Sequence, residues 1–121
     1  FGTAPAMTLV DDQRNYVYAT PAAARILGRS LGRLLTMRVD DLAPEALRGE
    51  LPRLFDQFLE VGEMHGPFEY QRPDGITVTG HYAARAKSPW RQTHLSLFVD
   101  DGPEHLDVDA AIAAAGFAKA V

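Results

Sequence analysis

The chain has 121 residues, 46% hydrophobic and 23% charged: the size and balance of one globular domain with a core of its own, which excludes disorder, collagen and coiled coil as whole-chain readings. No apolar run approaches the ~20 residues of a membrane-spanning helix, so membrane insertion is not expected. Of the net charge of −4, five acids from Asp100 onward against the lone base Lys119 account for all of it, which leaves residues 1–99 neutral and gives no electrostatic basis for direct nucleic-acid binding.

Met7 to Val10 is a short apolar run that ends in the turn-forming cluster Asp11-Asp12-Gln13-Arg14-Asn15. The aromatic and β-branched stretch Tyr16-Val17-Tyr18-Ala19 follows, so the two runs predict a hairpin. Thr20-Pro21 is a cap followed by proline at a first helical position, and Gly28 is a left-handed stop, which predicts a helix over 21–27. Residues 29–50 read as small helical pieces. From Leu51 the apolar positions Leu51, Leu54, Phe55, Phe58 and Leu59 form the stripe of an amphipathic helix that ends at Gly62. The period then switches to two: a strand through Phe68-Glu69-Tyr70-Gln71, a turn at Pro73-Asp74-Gly75, an extended stretch Ile76–Ala86, a loop that holds Trp90, and a last strand His94–Val99. Strands and helices are segregated, so the fold class is α+β with an antiparallel sheet.

These pieces, in this order and spacing, resemble a PAS domain over residues 1–101. Phe1-Gly2-Thr3-Ala4-Pro5-Ala6-Met7 is similar to the family's entry segment. Val10-Asp11-Asp12 with Tyr16-Val17-Tyr18-Ala19-Thr20-Pro21-Ala22-Ala23 is similar to its first hairpin and helix start, with Thr20 in place of the usual asparagine. Leu27-Gly28-Arg29-Ser30, the Phe55–Gly62 helix end and Glu69-Tyr70-Gln71-Arg72-Pro73-Asp74-Gly75 match further segments. The resemblance implies a five-stranded antiparallel sheet with short helices and one longer helix on one face. It also implies a sensory or signal-relay role, non-enzymatic and cytoplasmic, within a longer two-component or transcriptional regulator carrying a covalently linked effector. The start on Phe1 rather than Met sets the same expectation of a longer protein. Residues 102–121 are then an acidic, alanine-rich connector, cover or further element.

The resemblance also bears on cofactors, whose identity stays unknown. The family's flavin photoreceptors react through a cysteine, and this chain has none. Its haem sensors use a histidine near the start of the long helix; that position is Leu51, and no histidine lies between Gly28 and Met64. Haem in that mode is not expected. His65, His81, His94 and His105 show no metal-ligand spacing, and no catalytic triad, working carboxylate pair or phosphate loop is present.

Strand parity selects the candidate site. Phe68, Tyr70, Val78, Gly80, Tyr82 and Ala84 share one parity, which in ligand-binding relatives faces a pocket. Glycine inside a strand often marks close approach by a ligand, the small Gly80 and Ala84 leave volume to fill, and Phe68, Tyr70, Gly80 and Tyr82 are the candidates taken from this set. With Phe58 of the long helix and His94, Ser96 and Phe98 of the last strand they form the expected site for a small apolar or aromatic ligand. A packed core of the same aromatics is the alternative. Plain patterning would bury Leu95 and Leu97; the family's register instead turns Leu95, Leu97 and Val99 outward beside Met7 and Leu9. That apolar face needs a cover, and a homodimer is the expected one, since the tail shows no apolar stripe: Val108 and Phe117 fall on opposite sides of a helix. The rival functions are a ligand-free dimerisation or interaction module, and a haem or flavin sensor that uses other contacts.

Overall fold

The computed structural model describes residues 6–100 with Val108, Asp109 and Ile112, and for Val99 and Asp100 the backbone alone; the entry segment Phe1–Pro5 lies outside the described residues. Strands β1 (Ala6–Val10) and β2 (Tyr16–Ala19) form the expected hairpin. Its turn is built on Asp11, whose carboxylate accepts the backbone N–H groups of Gln13 and Asn15, both at 2.9 Å, and the Asn15 amide at 3.1 Å. Burial works against that charge, yet these bonds, those from Asn15 foremost, hold the Asp11 carboxyl below its ordinary pKa. Helix α1 (Pro21–Leu27) starts on Thr20, whose hydroxyl accepts N–H bonds from Ala23 at 3.3 Å and from Met7 at 3.0 Å. One side chain therefore caps the helix and ties it to β1. Gly28 ends α1 with φ 69°, and a Cβ there would lie 2.7 Å from Nε of Arg72, so both backbone and packing require glycine.

Three single-turn helices follow, α2 (Leu31–Leu34), α3 (Val39–Leu42) and α4 (Glu45–Arg48), then the long helix α5 (Leu51–Val61). Strands β3 (Glu63–Gln71), β4 (Thr77–Arg85) and β5 (His94–Asp100) complete a five-stranded antiparallel sheet of order β2-β1-β5-β4-β3. Strand β3 begins five residues before the alternation that marks it in sequence. Gly66 and Pro67 break that pattern, but β3 is an edge strand, where a missing proline N–H is tolerated. No helix among the described residues is long and apolar enough to cross a membrane.

The register sets side chains in rows across the sheet. Ala6 faces Phe98, which faces Tyr82; Thr8 faces Ser96, which faces Ala84; Val10 faces His94. All of these point to the helical side. Met7, Leu9, Leu95 and Leu97 point to the other side and are 0–2% exposed. Their cover is intramolecular: Val108 and Ile112 pack against them, with Ala83 at the edge, and an ion pair joins Arg85 to Asp109. The tail therefore does supply an apolar pair, at i and i+4 of a helical turn, where whole-segment periodicity shows none.

Candidate functional site

The Thr8–Ser96–Ala84 row is made of small side chains. On one side of it stand Phe98 and Tyr82, with Phe68 edge-on to Phe98 at 5.6 Å between ring centroids. On the other side His94 is met edge-on by Phe55 at 5.4 Å and by Phe58 at 6.3 Å. Phe58 of the α5 stripe packs with Phe55 and Leu59 against Ala84 and Ala86, and between helix and sheet lies a cavity of about 540 Å³. That is within the range of small-molecule sites, roughly 300–1,000 Å³. The exposed lining residues Pro44, Leu47, Met64 and Glu69 mark its mouth, between α4 and β3.

The cavity brings together Phe58, Phe68, Tyr70, Tyr82, His94, Ser96 and Phe98. Gly80 is not among its lining residues. It shares their parity and stands opposite Asp100 and Phe68, of which Phe68 does line the cavity; of the two small residues on this face, Gly80 and Ala84, it is Ala84 that lines the space. Of the outward set, Met7, Leu9, Leu95 and Leu97 lie under Val108 and Ile112, and the side chain of Val99 lies outside the described residues. Among the described residues, then, these four side chains are covered within the chain and not left wet.

Several lining residues carry no mark in the sequence reading above. Thr8 and Val10 follow from parity once Met7 and Leu9 are turned outward, and Leu51, Leu54 and Phe55 follow from the α5 stripe. Leu27, Val39, Leu42 and Tyr16 join them from the first helices and β2. Arg14 has no periodic signal at all. The Asp11 turn sets it at φ 68°, and from there its guanidinium reaches the cavity wall.

The electrostatics of the wall are closed. Arg14 donates from Nε and Nη2 to the Asp40 carboxylate at 2.8 and 3.1 Å and lies over the Phe55 ring, 5.7 Å from its centroid. The Arg14 hydrogen bonds hold the Asp40 carboxyl below its ordinary pKa, against the effect of burial, and Asp40 in turn raises that of Arg14. His94 is 2% exposed. Its Nδ1 accepts the Lys87 backbone N–H at 2.9 Å, which leaves Nε2 to donate to the Asp12 carboxylate at 2.8 Å. Both ring nitrogens are committed in the neutral tautomer, and neither is free to ligate a metal or move a proton. Burial, and for Tyr16 also the neighbouring Tyr70, pushes the phenols of Tyr16, Tyr70 and Tyr82 above their ordinary pKa, so all three remain hydroxyl donors near neutrality. Tyr70 accepts a hydrogen bond from Nε of Arg29 at 3.3 Å.

Histidine-ligated haem does not fit this donor set, because His94, the one histidine on the wall, has no free nitrogen. A flavin fits poorly as well: the lining holds neither cysteine nor an Asn or Gln side chain to pair with its amide edge. Among the described residues no cluster of His, Cys, Asp and Glu is arranged to hold a metal.

Comparison with known proteins agrees with this architecture. The family model described as the PAS fold matches residues 1–102. No curated protein sequence matches the chain. Solved structures similar to it include the PAS domain of a Desulfitobacterium hafniense protein, with a TM-score of 0.70 at 12% identity over 83% of this chain and 95% of that one. A domain of a sensory box sensor histidine kinase/response regulator from Geobacter sulfurreducens has a TM-score of 0.65 at 12% identity, over 79% and 82% of the two chains. The LOV domain of a blue-light activated histidine kinase from Erythrobacter litoralis has a TM-score of 0.65 at 18% identity, over 84% and 99%.

Proposed function

The chain belongs to the PAS family, and from that premise we propose that it is a sensory domain of a larger signalling protein that binds a small molecule in the cavity between sheet and helices. The observation that carries this reading is the cavity itself: about 540 Å³, floored by small side chains, walled by aromatics and open at one mouth. A module whose task is only to hold a partner has no need of such a space. The role is binding and not catalysis, since the one histidine on the wall spends both nitrogens on Lys87 and Asp12.

Occupancy is relayed by a population shift: a ligand that favours one arrangement of the sheet biases the domain toward it. The path is short. Ser96 on the cavity floor lies between Leu95 and Leu97, which carry Val108 and Ile112 of the tail, and a linked effector beyond the tail reads the change. The similarity to domains of two histidine kinases supports an effector of that signalling kind. Native mass spectrometry of the chain purified without additives tests the binding role. A copurified mass in the small-molecule range that is lost on Ser96→Leu is expected; an apo mass with no gain from a broad small-molecule panel overturns it.

A further inference from the structure

We propose that the cavity selects an electrically neutral aromatic molecule bearing a hydroxyl or carbonyl group, and that the hydroxyls of Thr8, Ser96 and Tyr16 read that group. The proposal rests on the reading of the cavity as a ligand site and names the ligand's chemistry.

Charge excludes the ions. Arg14, the guanidinium on the wall, is already neutralised through two bonds to Asp40. A carboxylate or phosphate would find no free cation there and would meet the Asp40 oxygens. A cationic ligand finds Asp40 equally committed, and the other carboxylate of the lining, Glu69, is exposed at the mouth. Burying an unpaired charge costs far more than burying a neutral polar group.

Hydrogen-bonding capacity points the other way. Tyr16 is 7% exposed and Thr8 2%, both line the cavity, and neither hydroxyl makes a hydrogen bond among the described residues; the same holds for Ser96. Thr8 and Ser96 are directly paired across β1 and β5, which sets their two hydroxyls side by side on the floor. None of these hydroxyls is sealed off without a partner, since Arg72 Nε is the one such atom among the described residues; their residues line the cavity, where the hydroxyls can bond a polar group brought from outside. The shape of the rest is aromatic: the trough runs between the edge-on pair Phe68–Phe98 and the tilted pair Phe55–Phe58, whose centroids are 5.6 and 5.9 Å apart, a setting that favours an inserted ring.

The test uses three probes of one shape, p-cresol, toluene and p-toluate, titrated into the chain by ligand-detected NMR, with far-UV circular dichroism to confirm that each variant is folded. The cresol is expected to bind about tenfold more tightly than toluene and p-toluate at least tenfold more weakly than the cresol, a tenfold step being the scale of one net hydrogen bond. Tyr16→Phe and Ser96→Ala, both shape-conserving, are expected to erase the preference for cresol over toluene while leaving toluene binding unchanged. Tighter binding of p-toluate, or equal binding of cresol and toluene in the parent, overturns the proposal while leaving the cavity reading intact. Binding of no probe overturns the cavity reading and the proposal with it.

Discussion

Replacing Ser96 by leucine separates a real cavity from a tight core by the sign of its effect. Leucine adds about three carbons where the serine hydroxyl ends, and Ser96 sits in the middle of the small-residue row, with Thr8 on one side and Ala84 on the other. With space above that row, the added carbons are buried against Phe58, Tyr82 and Phe98 at ~0.8 kcal/mol per carbon, a gain of about 2 kcal/mol, and an unpartnered hydroxyl is removed as well. In a close-packed core the same change forces side chains off their rotamers and costs ~1–3 kcal/mol. Urea unfolding followed by far-UV circular dichroism reads the difference, with a midpoint that rises at unchanged slope as the expected outcome. The same variant should lose cresol binding, because the space is then filled. A midpoint lowered by the equivalent of 1 kcal/mol or more would falsify the cavity and return the inner face to a packed core.

Thr20→Ala removes the acceptor of two N–H groups, those of Ala23 and Met7, and should lower stability by about 1–2 kcal/mol in the same assay; no measurable change refutes the double role. Leu97→Ala leaves a hole beneath Val108 and Ile112 and should cost about 2–4 kcal/mol, whereas Arg85→Ala, on an ion pair with an exposed partner, should cost under about 0.5 kcal/mol. Asp40 has a folded-state pKa depressed by Arg14, so its contribution is complete above the unfolded-state value of ~3.9 and is lost as pH falls through the lower, folded-state value. Asp40→Asn should therefore lower stability at pH 7 by about 1 kcal/mol and flatten the acid limb of the stability–pH curve; a limb of unchanged steepness would remove Asp40 from the account.

What the sequence disclosed depended on whether the signal was local. The Thr20-Pro21 start, the Gly28 stop and the α5 stripe are written in adjacent residues, and the structure has each where it was expected. The early start of β3 was hidden because Gly66 and Pro67 break the alternation, and only the identity of β3 as an edge strand makes them admissible. Strand parity marked Phe68, Tyr70, Tyr82, Ala84, His94, Ser96 and Phe98 of the lining and the α5 stripe marked Phe58, but parity alone could not separate Ala84, which lines the space, from Gly80, which does not. Arg14 was invisible for a different reason: a turn residue has no period, and its reach into the wall follows from the backbone that Asp11 imposes. The tail's apolar face has no whole-segment period, because the contact is made by Val108 and Ile112, one helical turn apart, on Met7, Leu9, Leu95 and Leu97.

The division of labour between the faces explains how a chain of this size tolerates a cavity. Three of its largest fully buried side chains, Met7, Leu9 and Leu95, lie on the outer face, and a fourth, Leu34, belongs to the cluster around α1 and β1. The outer cluster has no residue on the cavity, whereas the α1–β1 cluster borders it through Val10, Tyr16 and Leu27. Helix α5 has a single buried residue, Phe58, which packs with Phe55 and Leu59 against Ala84 and Ala86, while Leu51 and Leu54 line the cavity. Under the proposed function this is the asymmetry a sensor needs. The sheet is held from behind by contacts a ligand does not touch, and α5, with one buried residue, lies over the site. β5 belongs to both regions, with His94, Ser96 and Phe98 on one side and Leu95 and Leu97 on the other. A group that draws Ser96 toward the cavity moves the residues on which the tail rests, because alternate side chains of one strand share a backbone.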